Sequence, residues 1–211
     1  MATVDFFCDV CRFFYIVEDY EVSEQKKLHR KYHDEFVNGV KTTVQKNDNV
    51  IFELNDFRVV LVSPNSSTTQ RKRAERVAFR SKKDTHFDFA PYHADDTKHK
   101  DYPLAFIGII KNRAISFLVL RKAKATAKVT WEYYNQEDRE NIPLSPDERW
   151  GVSMIWVLEN KRRMGNASKL VKIASDYVGN SISEMAWFTP FTEFGSPLAK
   201  HLAPHEIILT I

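Results

Sequence analysis

The run Gly151-Val152-Ser153-Met154-Ile155-Trp156-Val157-Leu158, followed by Arg162-Arg163-Met164-Gly165-Asn166-Ala167, decides the fold. Its first part is a short, nearly continuous apolar run, the pattern of a strand buried on both faces. The apolar positions Ala167, Leu170, Val171, Ile173, Ala174 and Val178 then recur at spacings of three and four, which predicts a helix from about Arg163 to Val178. A buried strand, a glycine at a helix start and a basic pair make a local anion site. The first turn of a helix leaves backbone N–H groups unpaired at the positive end of its dipole. Gly165 lets a phosphate approach the backbone, Ala167 keeps the next turn slim, and Arg162 and Arg163 add positive charge.

Outward from this run, the rest reads as more strands. Val50 to Leu54, a turn at Asn55-Asp56, and Phe57 to Val62 predict a hairpin. Leu104 to Ile110, a turn at Lys111-Asn112-Arg113, and Ala114 to Leu120 predict a second. Val129 to Tyr134, Glu184 to Phe188 and Glu206 to Ile211 read as further strands, and Leu198 to Leu202 as a helix. The fold class is α+β, with a βαβ-like C-terminal half (α/β). Residues 135 to 148 are acidic and read as a loop.

At the front stand Cys8-Asp9-Val10-Cys11 and His29-Arg30-Lys31-Tyr32-His33. A Cys-x-x-Cys turn brings two thiolates to one ion, and two histidines four apart share a helix face. Together they supply the four N and S ligands of a tetrahedral zinc site, Cys8, Cys11, His29 and His33. A redox pair is the competing reading of the cysteines; two core cysteines with two surface histidines is the plain one. Leu28, Tyr32 and Phe36 form an adjoining apolar stripe on which Phe13, Phe14 and Tyr15 are expected to pack.

Composition bounds the rest. The 211 residues make one large domain, or one domain and a small module. Two cysteines cannot form the disulfide framework of a small secreted scaffold. A net charge of +3 is too mild to name nucleic acid as partner. No apolar run approaches the roughly 18 residues of a membrane span, and no signal-peptide core is seen, so a soluble protein of a reducing compartment is expected. Gln70 to Lys83 holds seven basic residues against Glu75. It reads as a solvated helix or loop, with a nuclear-import signal or a polyanion-binding face as the sharper readings.

The strand Gly151 to Val157 with Arg162-Arg163, joined to the Cys-x-x-Cys, His-x-x-x-His module with Tyr32-His33, Phe36 and Asn38-Gly39, resembles the cohesin acetyltransferase family of Eco/ESCO type. The Arg-x-x-Gly-x-Ala pattern matches the pyrophosphate loop of the GNAT acetyltransferases. The resemblance implies a ββα zinc finger over residues 5 to 40 and a GNAT domain over 48 to 211, with a basic insert at about 65 to 103. It implies transfer of acetyl from acetyl-CoA to a lysine of an SMC-type cohesin subunit, in the nucleus, in sister-chromatid cohesion and in association with chromatin.

Residue by residue, the resemblance sets Ile155, Trp156 and Val157 along the cofactor. It sets Arg162, Arg163, Gly165, Asn166 and Ala167 at the pyrophosphate, and counts Thr189, Pro190 and Phe191 among the further cofactor-binding candidates. Ser153 matches a serine implicated in catalysis. The chain departs from the pattern at Arg12-Phe13, where the family has Gly-Met. Thr189 stands at the family's catalytic Asp and Lys172 at a functional Glu. Glu159 and Glu193 are the substitute candidates for general base. The alternatives are a catalytically degenerate relative that binds CoA or a partner, and a GNAT enzyme with another acceptor. The oligomeric state is not written in these residues.

Overall fold

The computed structural model describes residues 3–18, 21–85, 92–95, 97, 102–136 and 143–210. Parts of the expected insert at 65–103 and of the acidic loop at 135–148, and the final Ile211, lie outside them.

The front module is a hairpin of β1 (Thr3–Phe7) and β2 (Phe14–Glu18), followed by α1 (Val22–Asn38). It is the expected ββα arrangement. A short β3 (Val40–Lys41) then joins a nine-stranded sheet. The other strands are β4 (Asn49–Leu54), β5 (Phe57–Val62), β6 (Leu104–Ile110), β7 (Arg113–Ala123), β8 (Thr126–Thr130), β9 (Arg149–Val157), β10 (Ala186–Trp187) and β11 (Glu206–Thr210). Their spatial order is β4-β5-β6-β7-β9-β10-β11-β8, with β3 paired to the start of β7. Pairing is antiparallel except at β9-β10-β11, where it is parallel.

The apolar runs of β6 and β7 are buried on both sides because a helix covers each face. Register separates the two faces. Phe106 and Leu118 are cross-strand partners, and Phe106 meets the Tyr177 ring of α4 (Asn166–Tyr177). Ile107, Phe117 and Trp156 align on the other face, toward α2 (Thr68–Thr85). α4 contributes buried Leu170, Val171 and Ala174, and α2 contributes Ala74, Val77 and Ala78.

The helix α2 corrects the reading of the basic stretch as a solvated segment. Arg73 pairs with Asp48 at 2.5 Å and donates to the Thr43 carbonyl at 2.9 Å. Arg76 reaches Glu35 at 2.7 Å, and Arg71 donates to the Ala94 carbonyl at 2.8 Å. Arg73 and Arg80 thus spend their charge inside the molecule, whereas Lys72, Arg76 and Lys83 stay at the surface. The Asp48 side chain is buried. Burial opposes its charge, but Arg73, the Gln45 N–H and Gln70 outweigh it and hold the carboxyl below its ordinary value of 3.8. A depressed carboxyl stabilises the fold above its unfolded value and ceases to do so as pH falls through the folded one. Asp48→Asn is expected to cost about 2 kcal/mol at pH 7. In urea unfolding, the gap to wild type should close as pH falls through the lowered carboxyl value.

Two elements differ from expectation. Thr130 ends β8 because its hydroxyl accepts from the Tyr133 N–H at 3.2 Å, and Trp131–Tyr134 turns into a short helix α3 rather than continuing a strand. The last helix, α5 (Gly195–Leu202), starts three residues earlier than its apolar spacing suggests. Thr192 accepts from Gly195 N–H at 3.0 Å and opens it.

Candidate functional site

β9 and β10 pair only at Gly151–Ala186 and Val152–Trp187, with one more bond from Phe188 N–H to the Val152 carbonyl at 3.0 Å. From Ser153 to Val157, β9 has no ladder partner on that side. The two strands therefore splay into a wedge. The departure has a local cause in β9. Val152 faces Leu120 and Met154 faces Val119, so Ser153 is the extra residue of a bulge. A bulge bends its strand and sharpens its twist. The Ser153 hydroxyl donates to the Val119 carbonyl at 3.1 Å and holds that bend.

The wedge opens into a cleft of about 700 Å³. One wall is Ile155, Trp156 and Val157, with Asp84 beside them; the other is the start of α5, from Thr192 to Leu198. Lys161, Arg162, Arg163 and the first turn of α4 close one end. Gly165 occupies the N-cap of α4 with φ of 75°, and no side chain caps that helix. Its first N–H groups have no side-chain partner, the arrangement that suits an anion. Arg162 is fixed by its Nε donating to the Val157 carbonyl at 3.0 Å, and its guanidinium stacks 4.9 Å from the Phe194 ring centroid. Asn166 Nδ2 holds the Lys161 carbonyl at 2.8 Å, tying the loop closed.

Ile155, Trp156, Val157, Arg162, Arg163, Gly165, Asn166, Ala167 and Glu193 thus line one cleft. The other candidates lie elsewhere. Thr189 and Pro190 are exposed and outside the lining. Phe191 turns into an aromatic cluster with Trp131, Tyr134 and Trp187. Glu159 is exposed on the turn Glu159–Lys161, away from the lining. Lys172 sits on the exposed side of α4, 3.3 Å from Asp176. Two lining features escaped the sequence reading. Asp84 follows the basic run by one residue, and Thr192, Phe194, Gly195 and Pro197, around the anticipated Glu193, belong to a helix start hidden in a Phe- and Gly-containing segment.

In the front module Cys8, Cys11, His29 and His33 bring four ligand atoms within 4.8 Å of one another. The Cys8 thiol is 3.4 Å from His33 Nδ1. His29 Nε2 is buried with no hydrogen-bond partner, an atom that needs a ligand. The backbone N–H of Cys11, then His29 and the Val10 N–H, pull the Cys8 thiol down to about 6, while burial pushes Cys11 up. The His29 ring is sandwiched 4.8 Å from Phe6 and 5.4 Å from Phe13. Leu28 and Phe14 stay exposed and do not join this packing. The donor set and its geometry fit a tetrahedral zinc ion.

The module is fastened to the sheet by α1. Arg113 donates to both Asp34 oxygens, at 2.6 and 3.1 Å. That pairing holds the Asp34 carboxyl below the ordinary range. Asn160, just past β9, donates to the Val37 carbonyl at 2.8 Å.

No protein-family model matches the chain. It is 27% identical over 152 residues to the N-acetyltransferase ECO1 of Kluyveromyces lactis, covering 69% of this chain and 55% of that protein. The ECO1 proteins of Eremothecium gossypii and Saccharomyces cerevisiae are 32% and 30% identical over 99 and 105 residues, 40% and 46% of this chain and 37% of each relative. The chain thus spans about half or less of the length of the curated relatives it matches. Among solved structures, the xEco2 acetyltransferase domain bound to a CoA conjugate superposes with a TM-score of 0.62 at 19% identity, covering 79% of this chain and 98% of that one. A second structure of the same domain gives 0.59, again at 19% identity, over 80% of this chain and 98% of that one. The splayed sheet is therefore the fold of that acetyltransferase domain, and in sequence the chain is similar to the ECO1 N-acetyltransferases.

Proposed function

We propose that the protein is an acetyl-CoA-dependent protein-lysine N-acetyltransferase. The observation that carries this reading is the convergence of the β9–β10 wedge and the Arg162-to-Ala167 loop on one cleft. The unpaired edge of β9 offers backbone donors and acceptors to an amide-bearing pantetheine arm. The first turn of α4, with Lys161, Arg162 and Arg163, offers charge and N–H groups to a pyrophosphate.

Acetyl transfer needs a neutral amine to attack the thioester carbonyl, with its proton removed and the thiolate released. Of the acids first considered, Glu193 lines the cleft and is the favoured base, whereas Thr189 has no basic group. The Ser153 proton is engaged with Val119, so Ser153 serves by setting the bend of β9 and as an acceptor. Zinc held by Cys8, Cys11, His29 and His33 would supply cross-linking of the front module, not chemistry at the cleft.

Kinship to the ECO1 proteins supports an SMC subunit of cohesin as acceptor, with a nuclear, chromatin-associated role in sister-chromatid cohesion. Among the described residues, no helix is long and apolar enough to cross a membrane. A second reading, a relative that binds CoA but transfers poorly, draws on Thr189 and Lys172 at the family's acidic positions. Calorimetry with acetyl-CoA, followed by acetyl transfer to cohesin SMC subunits and other chromatin proteins, separates them. Binding with transfer supports the first reading. Binding without transfer supports the second, and absence of binding ends both.

A further inference from the structure

The last turn of α2 touches both the front module and the cleft. The Arg80 side chain is 3% exposed. Its guanidinium lies 5.0 Å from the ring centroid of Phe36 and 5.8 Å from that of Tyr32, both on α1. One turn on, Asp84 Oδ1 accepts from Arg80 Nη1, and Asp84 Oδ2 accepts from Trp156 Nε1 at 2.8 Å. Trp156 is in the unpaired stretch of β9, and both it and Asp84 line the cleft. A continuous line of contacts therefore runs from the α1 rings through Arg80 and Asp84 to the cleft wall.

The energetics make this line stiff. Arg80 Nε and Nη2 are buried without hydrogen-bond partners, so its charge leans on the Asp84 carboxylate and on the two ring faces. Removing the carboxylate strands a buried cation and leaves an indole N–H without its acceptor. Either loss frees the indole to turn within the wall it forms.

We propose that Asp84 is a positioning residue for the cleft, fixing the Trp156 indole in the wall of the wedge. We further infer that Arg80 ties this hold to the Tyr32–Phe36 face of α1. The front module and the cofactor strand are then energetically coupled. This rests on the acetyl-CoA reading of the cleft.

A double-mutant cycle on the full chain tests it, with acetyl-CoA affinity measured by calorimetry for wild type, Asp84→Ala, Trp156→Phe and the double variant. Each single change is expected to weaken binding. The double variant should bind no worse than the weaker single, a departure from multiplicative loss of about tenfold. Losses that multiply to within twofold overturn the proposal, because a residue that merely supports the fold has no reason to be silent once Trp156 is changed. If Asp84→Ala does not fold, the apolar pair Arg80→Met with Asp84→Leu replaces it in the same cycle.

The link to α1 is read with Phe36→Leu. It should weaken binding about threefold in wild type and leave the Asp84→Ala protein unchanged. Equal losses in both backgrounds remove the front module from the line. A wild-type protein that binds no acetyl-CoA ends the cleft reading itself, a result distinct from a multiplicative cycle.

Discussion

Gly165→Arg is expected to weaken acetyl-CoA binding by more than a hundredfold and to leave the rest of the molecule folded. Gly165 has φ of 75°, in the left-handed region, where a side chain costs about 1 kcal/mol. That strain alone is small. The larger effect is occupation: an Arg side chain at the N-cap would fill the space in front of the first N–H groups of α4. The fold should survive, because a Cβ built on Gly165 meets nothing within 4 Å. Calorimetry gives the loss, and a melting temperature within a few degrees of wild type shows that it is local. Gly165→Ala should lose only several-fold, since it carries the backbone strain with little bulk. If Gly165→Arg binds acetyl-CoA normally, the pyrophosphate lies elsewhere and the cleft assignment fails.

The second large effect concerns the front module. Changing Cys8 and Cys11 together to Ser should abolish metal binding and unfold residues 3 to 38. Structural zinc contributes about 10 kcal/mol or more to small modules of this kind, and the described core around His29 is only a few rings. Elemental analysis should find one zinc per wild-type chain and none in the variant. Limited proteolysis should then cut within the hairpin and α1. A metal-free wild type with a protected hairpin would show that aromatic packing suffices. Because α1 is held by Arg113, Arg76 and Asn160, its loss should also lower the melting temperature of the sheet.

What the sequence made legible were local patterns. The Cys-x-x-Cys and His-x-x-x-His pairs stand at recognisable spacings, the apolar runs of β6, β7 and β9 mark the centre of the sheet, and Gly165 follows a basic pair. What escaped depends on partners far away in the chain. Arg73 meets the buried Asp48 and Arg76 meets Glu35 at the surface only after folding, so a run of cations read as a solvated face became partly paired. Asp84 entered the cleft because α2 packs beside β9, which no local spacing encodes. The Ser153 bulge is defined only against Leu120 and Val119 of another strand. Arg12 shows the reverse case. The resemblance assigns glycine there, and the structure gives Arg12 a φ of 56°, so the knuckle keeps a left-handed turn without its preferred residue.

The wedge between β9 and β10 originates in counting. β9 carries one residue more than its partner needs, and the surplus falls at Ser153, just where pairing with β10 stops. Few side chains are required to create such an opening, so substitution along 155 to 157 alters its lining without closing it. Loss or gain of a single residue in β9 is another matter, for it would slide every later side chain to the opposite face. The cavity is thus robust to changes of letter and fragile to changes of length.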